Sequence, residues 1–186
     1  MFSLSSLKRL FKAADLRPQP GQLVEAAAKG DLAAVRSLIS RGADLNEKDK
    51  DATTPLMAAA HHGSADVAKF LIDSGALLNE KDKNDITALN WAAHWGHTDI
   101  VRMLTEKDAA LDVQDRWGYT ALMWAAHYGH AEPAQLIVSK GAALGLQEKR
   151  GYTAQSLAEM LSHPDIVEII KAGPAPKQPA PPAPQA

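Results

Sequence analysis

The chain has 186 residues, 46% of them apolar and only 5% aromatic, with a formal net charge of −2 and no cysteine. The lack of cysteine excludes disulfides, cysteine-ligated zinc and thiol catalysis. Lysines and arginines are spread along the chain, which excludes the basic stripe of a nucleic-acid backbone reader, and no apolar run reaches the roughly 18–20 residues of a membrane-spanning helix.

At the start of the chain Leu4, Leu7, Leu10, Phe11 and Ala14 fall on one helical face, with Lys8, Arg9 and Lys12 on the other. This predicts a short basic amphipathic helix. Its cations interrupt the apolar stretch that a secretory signal requires, which argues against export by that route. Three roles stay open for it: a cover for the first structural unit, a weak contact of residues 1–16 with an anionic membrane surface, or a targeting address. The run LRPQPG then breaks the helix, because proline fixes its dihedral and lacks an amide donor. Residues 1–20 are therefore expected to form a separate segment and linker.

Beyond it the sequence repeats. Thr54, Thr87, Thr120 and Thr153 recur every 33 residues, as do Gly30, Gly63, Gly96 and Gly129. Each threonine hydroxyl is placed to cap the free amides of a new helix, helped by Pro55 in the earliest copy. Each glycine ends that helix and permits a tight reversal. A second helix follows with an apolar column of Leu38, Leu71, Leu104, Ile137 and Ile170, closed by Gly42, Gly75 and Gly141. One helix pair cannot hide such a face, so the units must stack into a continuous core. The expected units are residues 21–48, 49–81, 82–114, 115–147 and 148–173. The first and last depart from the pattern, as terminal caps of a stack do.

The lines TTPLMAAAHHG, ITALNWAAHWGH and YTALMWAAHYGH, with GADLN after a second helix, resemble the ankyrin repeat family over about residues 21–173. The resemblance implies an all-α solenoid of about five helix-turn-helix repeats with short loop or β-turn connections, which serves as a non-enzymatic protein-binding module. The family's histidine after T-P-L is replaced here by Met57, Asn90, Met123 and Ser156, a change expected to remove bonds between repeats. A turn glycine seen at Gly118 and Gly151 is Ala52 and Asp85 in earlier units, so a left-handed backbone there would strain Ala52. Asp108 likewise stands where a helix-closing glycine is expected.

In this family the two residues before the helix-ending glycine, together with the turn tips, face partners. Carried over, this gives His61, His62, His94, Trp95, His127 and Tyr128, with Ile86, Arg116, Trp117, Tyr119 and Tyr152 from the turns. Trp95, Trp117, Tyr119 and Tyr128 are the expected anchors, because aromatic residues dominate interface energetics. Trp91 and Trp124 stand where the family has a buried leucine and are expected in the core. Neighbouring helices lie ~8–10 Å apart, too far for one metal ion to join two histidine-bearing repeats, and no cofactor is expected.

An acidic column, Asp49, Asp82, Asp115 and Glu148, runs beside a basic one, Lys50, Lys83, Arg116 and Lys149, and is expected to cancel its field. No phosphate-binding loop, H-E-x-x-H or G-x-S-x-G motif points to an enzyme. Residues 174–186, rich in proline and alanine, are expected to be an extended disordered tail. The expected protein is thus a cytoplasmic monomer that binds another protein, and not nucleic acid, through the concave face of its middle repeats. A peripheral membrane adaptor, or an inhibitor or immunity-type regulator of a partner enzyme, is the alternative.

Overall fold

The computed structural model describes residues 18–174; the expected amphipathic N-terminal helix and the proline-rich tail lie outside the described residues. The described residues hold ten helices and no strand: α1 (Gln22–Ala28), α2 (Leu32–Ser40), α3 (Pro55–His62), α4 (Ala65–Asp73), α5 (Ala88–His94), α6 (Thr98–Glu106), α7 (Ala121–Tyr128), α8 (Ala131–Ser139), α9 (Ala154–Met160) and α10 (Pro164–Ala172). Odd-numbered helices stack in one layer and even-numbered helices in another. Helices of the odd layer contact one another more extensively than those of the even layer.

Each threonine starts a helix of the odd layer. Thr54, Thr87, Thr120 and Thr153 accept the amides of Met57, Asn90, Met123 and Ser156, which satisfies donors that a helix start otherwise leaves free. Repeat one has no threonine, and its first helix follows Gly21 without a side-chain cap of its own. Glu47 from the next loop replaces it, Oε1 accepting the amides of Leu23 at 2.9 Å and Val24 at 3.4 Å. Pro133 sits in the first turn of α8, where its missing donor costs nothing.

The core is a set of columns running along the stack. Leu38, Leu71, Leu104, Ile137 and Ile170 are all buried, as are Ala26, Ala59, Ala92, Ala125 and Ala158 where odd helices approach one another. Phe70, Met103, Leu136 and Ile169 cover this core from its edge. The reversals after the odd helices are left-handed at Gly30, Gly63, Gly96 and Gly129, and Ser162 takes the same conformation in the last repeat. The three later even helices start at His97, His130 and His163, whose rings lie against the bare glycine of the preceding repeat. A Cβ on Gly96 would come within 2.7 Å of His130 Nδ1. Nε2 of His97 meets the His61 carbonyl at 3.3 Å and Nε2 of His130 meets the His94 carbonyl at 3.1 Å, so successive repeats are tied as well as packed.

One expectation is corrected here. Loss of the family histidine does not remove all bonding between repeats, because Asn90 Nδ2 donates at 3.3 Å to the Tyr119 carbonyl of the next unit, as it does to Val113 of its own. The acidic column also has a structural role beyond balancing the basic one. Asp49, Asp82, Asp115 and Glu148 each accept two amides of their own turn, those two and four residues ahead, the local bonding that shapes Asx-type turns. The turns then join one another: the Lys83, Arg116 and Lys149 amides donate to the carbonyls of Asp51, Asn84 and Trp117. A further ladder links the loops, with Asn46, Asn79 and Asp112 accepting the amides of Leu77, Ala110 and Ala143.

Asp108 keeps the left-handed turn of its glycine counterparts, and Ala52 is left-handed at φ 60°. An L-residue pays about 1–2 kcal/mol there, part of which glycine returns as chain entropy. Ala52→Gly is therefore expected to raise stability by up to about 1 kcal/mol, read as a higher denaturant midpoint. A lower midpoint would show that the turn is unstrained.

Candidate functional site

The odd helices end in the residue pairs singled out by sequence, and their rings meet across repeats. His61 at the end of α3 packs edge-on against Trp91 of α5, centroids 4.6 Å apart, and against Trp95 at 5.4 Å. His94 then contacts Trp95 at 4.9 Å, Trp124 of α7 at 4.6 Å and Tyr128 at 4.5 Å. Tyr119, from the turn before α7, lies 4.5 Å from Trp124, and His127 is 4.8 Å from Tyr128. The outcome is one ladder of rings along the layer of odd helices. Edge-to-face and offset arrangements of this kind add roughly 0.5–1.5 kcal/mol per pair beyond burial.

The ladder has a buried edge and a solvent edge. His61, His94, His127, Trp91, Trp124 and Tyr119 are half-buried, whereas Trp95 is 50% exposed and Tyr128 46%; Trp117, on the neighbouring turn, is 45% exposed. Trp91 and Trp124 are thus not core residues as expected. Trp91 rests on the edge of the core, and Trp124 is held at the surface by its Nε1 donating to Asp115 Oδ2 at 2.9 Å. An indole is too large for the leucine slot, so it extends outward and is drawn into the ring contacts.

Ile86 is corrected outright: it is 5% exposed and has no surface to give a partner. Its counterparts one and two repeats on, Tyr119 and Tyr152, are long enough to reach past the turn, and Tyr152 is exposed. His62 is exposed and packs edge-on against His61. Arg116 is exposed, its guanidinium 5.5 Å from the centre of the Trp117 ring and its Nη1 bonded to Asn84.

Met160 and Leu161 were not among the sequence candidates. Both are exposed, Met160 at 55%, and they continue the same face one repeat beyond His127 and Tyr128. The repeat step alone would have found them.

Between the ladder and the turns lies an open cleft of about 390 Å³, lined by Trp117, Tyr119, Trp124, His127, Tyr128 and the turn at Glu148–Arg150. Electrostatically the ladder is a neutral seam. Burial, reinforced by His61, His127 and His130, lowers the His94 pKa to about 4. His61 and His127 are lowered for the same leading reason. Burial raises Asp115, partly opposed by the hydrogen bonds that its carboxylate accepts from Tyr119, Trp117 and Trp124.

A family model described as ankyrin repeats (3 copies) matches residues 23–115 and 107–178. No curated protein matches the chain.

The histidine seam gives stability a pH dependence of defined sign. Unfolded, His94 titrates near 6.5; folded, near 4. Between these values the unfolded chain binds a proton that the folded chain refuses. Stability is therefore complete above pH 6.5 and declines as the pH falls toward 4. Denaturant midpoints measured across that range are expected to fall, and less steeply for His94→Phe, which keeps a ring but cannot titrate. Equal slopes would contradict the assignment.

Proposed function

Because the chain belongs to the ankyrin-repeat family, whose repeats are protein–protein interaction modules, we propose that it acts without catalysis by binding a partner protein on the inner face of its middle repeats. One observation carries this reading: Trp95 and Tyr128 stand about half exposed on a ladder whose other rings are fixed by packing, with Trp117 about half exposed on the turn beside it. Exposed apolar clusters of this kind mark interaction sites. Rings locked in place lose little freedom on binding, so more of their burial appears as affinity. The half-buried histidines position these anchors, and being neutral they impose no charge on the centre of the interface.

Affinity capture from the native lysate tests this. The double variant Trp95→Ala/Tyr128→Ala is expected to lose a partner that the parent protein retains, since such anchors are each worth about 2 kcal/mol or more. Leu77→Ala serves as the control, because Leu77 is 53% exposed yet belongs to no ring contact. Retention by the double variant, with its fold verified by circular dichroism, would overturn the site.

A further inference from the structure

The cleft beside Trp117 has a chemistry of its own. Its walls are Trp117, Tyr119, Trp124 and Tyr128, and its rim is the turn carrying Lys149 and Arg150. At about 390 Å³ it lies at the low end of the roughly 300–1,000 Å³ of ligand sites. That space suits one large side chain, not a whole cofactor.

The charges around it are sorted by depth. Lys149 and Arg150 are exposed, and neither is in an ion pair among the described residues. Arg116, stacked beside Trp117, has only the neutral Asn84 oxygen as its side-chain hydrogen-bond partner. Of the acids nearby, Asp115 is 5% exposed, and Glu148, which lines the cleft, is 6% exposed. Asp115 is bonded to the Trp117 and Tyr119 amides and to the Trp124 indole, and Glu148 to the Arg150 and Tyr152 amides. A ligand entering the cleft therefore meets aromatic faces and the outward cations of the rim, while the Glu148 carboxylate in the lining is engaged by the amides of its own turn.

Resting on the protein-binding reading above, we propose that this cleft takes a peptide segment of the partner in which one aromatic or large aliphatic side chain is flanked by carboxylates. The anchor fills the space between Trp117 and Tyr128, and the acids pair with Arg116, Lys149 and Arg150. A cationic anchor inserted among the rings is disfavoured, because the rim would repel it before the buried acids attract it.

The test uses a phage-displayed library of random peptides, selected on the full-length protein. Peptides with Asp or Glu around a Trp, Phe or Leu are expected. A selected peptide should bind about tenfold or more weakly to Lys149→Glu/Arg150→Glu and to Trp117→Ala, and weaken with salt, as charge-steered association does. Lys- or Arg-rich peptides, no selectable peptide, or binding indifferent to the charge reversal would each overturn the proposal. If lysate capture still depends on Trp95 and Tyr128 in any of those cases, only the peptide chemistry fails. If that dependence is also absent, the protein-binding site fails with it.

Discussion

The contact on which the rest of the molecule depends is a histidine ring laid on a glycine that has no Cβ. His97 on Gly63, His130 on Gly96 and His163 on Gly129 fix how closely one repeat approaches the next. Any side chain on these glycines would enter the ring, and each glycine is also left-handed, so both sterics and backbone demand it. Interiors are close-packed and do not deform continuously. The spacing set here is therefore inherited by the odd helices, and through them by the rings at their ends. His61 can touch Trp91, and His94 can touch Trp124 and Tyr128, across repeats because their helices already stand at that distance.

The opposite edge of the stack is secured by polar means. Buried polar groups are costly unless paired, and here the pairing is arranged by repetition. Each acid closes its own turn, each turn donates to the one before it, and the loop ladder of Asn46, Asn79 and Asp112 does the same further along. Such a scheme leaves the cations at the turn tips outward and the acids inward. Along the column pair Lys83 is paired with Asp51, whereas at the Trp117 cleft Lys149 and Arg150 face outward beside the buried Asp115 and Glu148. The ring ladder lies between these two devices, with Lys149 and Arg150 on the turn beside its cleft.

Much of the scaffold was legible because a strict period places each column in one environment. The threonine caps, the left-handed glycines, the apolar columns and the strain at Ala52 all follow from that logic. What escaped it depended on side-chain reach and direction. The alternation of acid and base reads equally as surface pairing or as turn closure, and only the amides two and four residues ahead decide between them. Trp91 and Trp124 were placed in the core by their column, but an indole does not fit a leucine slot. Ile86 shares a column with Tyr119 and Tyr152 and is simply too short to emerge. Glu47 caps a helix 24 positions away in sequence from Leu23, a contact that no local pattern announces. For the face itself, the sequence yielded the rings but not their mutual contacts, and it passed over Met160 and Leu161 because they are not aromatic.

The measurement that bears most directly on this account is a double-mutant cycle at Gly96 and His130, read by denaturant unfolding. If the ring seated on the bare glycine sets the repeat spacing, Gly96→Ala alone should cost far more than its left-handed backbone explains. Adding His130→Ala should then recover the excess, leaving about 1–2 kcal/mol of backbone strain beyond the effect of His130→Ala alone. Strictly additive effects would mean that glycine is needed there only for its dihedral angle, and the proposed origin of the ring ladder's register would be wrong.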